Sequence, residues 1–123
     1  MTTRTTVALF YLCLAVGGCA EDRYAHNMRQ AYVTPWTHLS AADRSEIVRL
    51  VSAATDQGVQ GITKSASNFK QISVFTGFTG AGAGVGDRFR WNEFVVEKHS
   101  NRWQIVSQHD TSPAVATALL LYP

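Results

Sequence analysis

The sequence predicts an α+β domain, with one amphipathic helix packed on a three- or four-stranded antiparallel meander and a short C-terminal helix. Three observations point there. Apolar residues recur at helical spacing between 41 and 54, alternation at period two dominates from 62 to 108, and glycine, serine and asparagine punctuate the breaks. The composition agrees. With 46% hydrophobic and 16% charged residues over 123 positions, the chain has enough apolar material for one domain and does not read as disordered.

The chain opens on a different kind of segment. Met1 and Arg4 make a short positive start, and no acid follows until Glu21. Val7 to Val16 is an unbroken run of ten apolar residues. A bilayer span needs about 20, so this run has the length and flanks of a signal segment rather than a transmembrane helix. Both cysteines of the chain, Cys13 and Cys19, lie here, so the remainder contains no disulfide and no thiolate metal site.

Val16-Gly17-Gly18-Cys19 resembles the lipobox of bacterial lipoproteins: an aliphatic residue, two small residues, then the cysteine. Valine replaces the commoner leucine at the aliphatic position. The resemblance implies that Cys19 receives a diacylglycerol on its sulfur and that residues 1–18 are removed as a lipoprotein signal peptide. The thiol is the nucleophile, and small neighbours let a protease approach the backbone. Two or three acyl chains anchor lastingly where one does not. Ala20, where lipoproteins retained at the inner membrane commonly carry aspartate, points to the outer membrane facing the periplasm. Two other readings stay open: an ordinary secretory signal cleaved at Gly18-Cys19-Ala20, and a buried N-terminal helix.

Residues 19–37 are expected to be the lipidated cysteine and a polar tether, with 38–123 forming the small α+β domain. Fully extended, such a tether would reach about 60 Å at roughly 3.4 Å per residue. The stretch from Asp22 to Tyr32 reads alternatively as a short helix, and Pro35 argues for extended chain at its end. The helix over Ala41–Ala54 has Ser40 as N-cap, with Asp43 suited to its positive start. Ile47, Leu50, Val51 and Ala54 form one stripe, widened by Val48.

Strands follow. Ile62–Ala66 is the weakest, and Phe69–Thr76 places Ile72 and Val74 opposite Gln71 and Ser73. In Arg88–Lys98 the apolar phase runs through Phe89 and Trp91, then slips to Phe94 and Val96, which predicts a bulge near Asn92-Glu93. A turn at His99-Ser100-Asn101 leads into Arg102–Gln108, with Trp103 and Ile105 on one face. Ser112 and Pro113 then open a short helix, whose Val115 and Leu119 to Leu121 are too few to span a membrane and are expected to pack on the sheet. The sheet order loosely resembles the half-cone of small periplasmic modules, including cystatin-like ones, and the Lys98–Ile105 stretch recurs in such folds. No function is implied by that resemblance.

No catalytic residue, cofactor site or metal site is predicted. Gly77, Gly80, Gly82, Gly84 and Gly86 suggest a phosphate loop, yet Asp87 and Arg88 follow where Lys-Ser/Thr would be needed, and a strand follows where a helix would be. The run reads as a connector. His26, His38, His99 and His109 lack metal-ligand spacing, and no Gly-x-Ser-x-Gly elbow is present. Asp43, Glu46, Glu93 and Glu97 are the acids available for pairing in space. Phe89, Trp91, Phe94 and Trp103 suit a core, or a platform if exposed; Phe78 is the aromatic expected at the surface. The net charge of +2 and the scattered Arg88, Arg90, Lys98 and Arg102, interrupted by Asp87, Glu93 and Glu97, exclude a nucleic-acid stripe.

These readings predict a lipid-anchored cell-envelope protein with a non-enzymatic binding or accessory role. Its partners would be the membrane, through lipid on Cys19, and an envelope protein. The alternative is a small extracytoplasmic hydrolase or glycan-active enzyme, which would need acids or histidines gathered in a polar cleft.

Overall fold

The helix expected over Ala41–Ala54 forms with those bounds in the computed structural model, which describes residues 20–65, 68–78 and 90–122. Ser40 caps it by accepting from the Asp43 backbone N–H at 3.0 Å. The full order is α1 (Ala20–Gln30), β1 (Tyr32–Val33), α2 (Ala41–Ala54), β2 (Gly58–Lys64), β3 (Gln71–Gly77), β4 (Trp91–His99), β5 (Arg102–Thr111) and α3 (Pro113–Leu121). Cys19 and the expected signal segment, the glycines from Gly80 to Gly86, and Asp87, Arg88 and Phe89 lie outside the described residues.

The class is α+β, but the sheet is larger than the sequence predicted. It has five strands in the order β1-β2-β3-β4-β5 and is mixed, because β1 runs parallel to β2 while the other neighbours are antiparallel. A parallel pair needs a crossover, and α2 is that crossover. Three helices, not one plus a tail segment, pack on this sheet.

The largest correction concerns the tether. Residues 20–30 form helix α1, and Tyr32-Val33 add a strand, so the segment belongs to the folded unit. Of the two readings of this segment, the short helix is the one realised. Tyr24, Met28 and Ala31 fall at helical spacing and pack toward the main core. Arg44 on α2 donates to the Met28 carbonyl at 2.7 Å, satisfying a group that the end of α1 would otherwise leave open.

The sheet buries both faces. Ile62, Ile72, Val74, Phe94 and Val96 meet Ile47, Val48 and Val51 under α1 and α2. On the other face Phe75 and Trp91 meet Ala116 and Leu120 of α3. This two-sided burial explains the phase slip in β4, because Trp91 faces α3 and Phe94 faces the main core. The bulge predicted near Asn92-Glu93 is therefore absent. The irregularity lies at Val106 of β5, skipped between the pairs Val95–Ser107 and Val96–Ile105, and a second lies at Gln60 of β2. The β4–β5 hairpin turns through Ser100 and Asn101, with φ of 52° and 64°, the left-handed pair that a two-residue turn of matching twist requires.

Candidate functional site

Buried amides organise the ground between α1 and the sheet. Asn27, 1% exposed, donates to Ser52 Oγ at 2.8 Å, and its Oδ1 accepts from the Val59 backbone N–H at 3.1 Å. One side chain thus ties α1 to both α2 and β2. Gln57 performs the same office one strand further on. Its Oε1 accepts from Thr76 Oγ1 at 2.8 Å and Asn92 Nδ2 at 2.9 Å. These groups are satisfied, as buried polar groups must be, and their task is to hold the wall of a cleft.

That cleft, of about 370 Å³, opens between α1 and the ends of β2 and β3. Asp22, Arg23, His26 and Gln30 line it from the helix, and Asp56, Gln60 and Phe78 from the other side. Arg23 Nε donates to the Ser52 carbonyl at 3.2 Å, and Gln60 Nε2 to the Gly77 carbonyl at 3.0 Å. Among the described residues, the side chains of Asp22, His26 and Asp56 take no part in the protein's own hydrogen bonds or ion pairs, so they present polar groups to whatever occupies the cleft. Two acids, a base and a histidine beside planar amides suit recognition of a polar, hydroxyl- or amine-bearing molecule. No serine, threonine, cysteine or lysine stands among these lining residues.

The four acids singled out in the sequence do not assemble into an acid–base pair. Asp43 accepts from Trp103 Nε1 at 3.1 Å and from Lys98 Nζ at 3.0 Å, and Glu46 accepts the backbone N–H of Trp103 at 2.7 Å. Both tie α2 to β5. The hydrogen bonds from Trp103 and then Lys98 hold the Asp43 carboxyl below the usual aspartate range. Glu93 lies on the other sheet face, accepting from Ser73 Oγ at 2.5 Å and facing His109 Nε2 at 2.7 Å. Glu97 stands 3.9 Å from His99. The Ser73–Glu93–His109 chain places the acid between serine and histidine, so the histidine cannot activate that hydroxyl; the order is wrong for a nucleophilic triad. Among the described residues no three histidine, cysteine, aspartate or glutamate side chains gather as a metal set.

The aromatic platform is likewise dispersed. Phe94 is core, Trp91 packs beneath α3, and Trp103 is pinned to α2; Phe89 lies outside the described residues. Phe78 lines the cleft. What sequence reasoning missed is the surface of α3. Val115, Leu119 and Leu121 are exposed, as is Tyr122 at 70%. The signal was present in Pro113–Leu121, where nine consecutive residues carry no charge. Among the described residues no helix is long and apolar enough to cross a membrane. No protein-family model, no curated protein and no solved structure matches this chain.

Proposed function

We propose that the chain is a lipid-anchored cell-envelope protein whose small α+β domain has a non-enzymatic binding or accessory role. The observation that carries this reading is Val16-Gly17-Gly18-Cys19 at the end of an apolar run too short to span a bilayer. Two features of the fold support it. Ala20, bonded directly to Cys19, begins a helix docked into the domain, so acyl chains on that sulfur would hold the domain against the headgroups. The buried amides around the cleft are committed to structural partners, which fixes the shape of that recognition surface. Ala20 favours the outer membrane, facing the periplasm, and the cleft is the surface we assign to a partner or ligand.

The anchor is tested by metabolic labelling with a clickable fatty acid. The wild-type chain should incorporate the label and Cys19→Ser should not; persistent labelling in that variant overturns the reading. The binding role is tested by affinity capture from detergent-solubilised membranes, comparing wild type with a His26→Ala/Asp56→Ala double variant. A partner retained by the first and lost by the second is the expected result.

A further inference from the structure

Two amide nitrogens converge over Gly58 in the cleft. A Cβ at Gly58 would fall 2.8 Å from Gln30 Nε2 and 3.1 Å from Gln60 Nε2. Both nitrogens are spent on backbone carbonyls. Gln30 Nε2 donates to the Val59 carbonyl at 3.3 Å, and Gln60 Nε2 to those of Gly58 at 3.3 Å and Gly77 at 3.0 Å. A backbone carbonyl can only accept, so these bonds fix which way each amide faces. What Gln30 and Gln60 leave for an occupant is their own carbonyl oxygens. The charged groups follow the same pattern. Arg23 Nε is turned to the Ser52 carbonyl in the last turn of α2, a helix end that carries partial negative charge and no basic residue of its own. The cation of the cleft is thus matched within the protein. Asp22 and Asp56 are not, and they stand on opposite walls, one on α1 and the other just after α2. Among the described residues no three acids, histidines or cysteines gather as a metal set, so the two carboxylates bracket a space instead of enclosing a point.

We infer that the cleft takes an organic ammonium ion, a primary aliphatic amine whose N–H groups meet Asp22, Asp56 and the carbonyl oxygens of Gln30 and Gln60. A primary ammonium brings three donors and no acceptor, the complement of a surface that offers oxygens. The Phe78 ring, also in the lining, suits the methylenes beside the charge. A volume of about 370 Å³ lies at the small end of ligand sites and matches a short chain rather than a folded partner. The inference rests on the reading of the cleft as the recognition surface and is independent of lipid on Cys19. Such an amine is either a free diamine or the end of a lysine-like side chain on a peptide.

Isothermal titration of the natural protein in detergent tests this with cadaverine, pentanediol and glutarate, which share a carbon skeleton and differ in charge. Cadaverine should bind saturably, and the diol and the diacid should not. Asp22→Asn and Asp56→Asn should each weaken cadaverine about two- to fivefold, the scale of one exposed charge pair. Asp110→Asn makes the same charge change at an exposed position outside the cleft and should leave the affinity unchanged. Nα-acetyl-lysine methylamide separates the two sources: binding as tight as cadaverine assigns the amine to a peptide, and no binding assigns a free diamine. Equal weakening in all three variants marks unspecific charge attraction and overturns the inference. Pentanediol or glutarate binding as well as cadaverine overturns the amine and leaves the cleft a recognition surface. If no probe binds, yet a partner is captured by the wild type and lost by His26→Ala/Asp56→Ala, the amine falls and the cleft reading stands. If no such loss occurs either, both fall.

Discussion

The indole Nε1 of Trp103 donates to Asp43 Oδ1 at 3.1 Å, joining the second strand of the last hairpin to the first turn of the central helix, 60 residues earlier. The same carboxylate oxygen accepts from Lys98. One acid therefore serves helix start, hairpin and indole together.

Replacing Asp43 with alanine should cost about 1–3 kcal/mol, because hydrogen bonds to a charged acceptor are among the stronger ones and two donors lose it. Asp43→Asn should cost less. Since the folded-state pKa is lowered, the stability that Asp43 contributes is complete above its unfolded pKa and is lost as pH falls through the folded value. Urea titrations followed by Trp103 fluorescence between about pH 5 and 2 should show a shallower acid slope in Asp43→Asn than in wild type. Equal slopes would mean that the carboxylate does not act through this contact.

Asn27→Leu should destabilise the domain by about 2–3 kcal/mol, since the Val59 N–H and Ser52 hydroxyl lose their partner in a buried setting. Deleting residues 20–30 should do worse and lower the denaturant midpoint sharply. A dispensable tether would leave that midpoint unchanged, which makes equilibrium denaturation of the deletion variant decisive.

Gly61 and Gly77 sit beneath different rings and chains, and their substitutions should differ accordingly. A Cβ at Gly61 would fall 2.4 Å from Leu120 Cδ1, the far end of a flexible side chain, whereas one at Gly77 would fall 2.3 Å from the rigid indole of Trp91. Gly61→Ala should loosen α3 alone, seen as faster hydrogen exchange at Ala116–Leu121 with the global midpoint nearly kept. Gly77→Ala should cost about 1–3 kcal/mol globally, the usual penalty of overpacking.

Ser100 holds a φ of 52°, a conformation that a residue with a Cβ adopts at a cost of roughly 1 kcal/mol. Ser100→Gly should stabilise the domain by about 0.5–1 kcal/mol and Ser100→Val should destabilise it, both measurable by thermal unfolding.

Where a signal was local, the sequence revealed the element closely. Ser40 with the stripe Ile47, Val51 and Ala54 defined α2, Ser112-Pro113 opened α3, and the Ser100-Asn101 turn placed the last hairpin. Where the stabilising contacts are distant, it did not. α1 has few apolar residues and docks chiefly through Arg23, Tyr24 and Asn27, polar groups whose partners lie more than 20 residues away. β1 is two residues long and exists only because Gly61 and Ile62 pair with it. The cleft inherits this blindness: half its lining comes from α1, so no motif along the chain announces it. The phase slip in β4 was legible but ambiguous, because a bulge and a change of covered face write the same alternation.

Glu46 has a consequence for the sheet's outer margin. Its carboxylate takes up a Trp103 amide that does not belong to the β4–β5 ladder, and three residues later Val106 breaks the ladder's rhythm. An outermost strand of ten residues would otherwise be a template on which foreign strands could polymerise. With one amide occupied by a side chain and the register interrupted beyond it, that template is blunted within the chain itself.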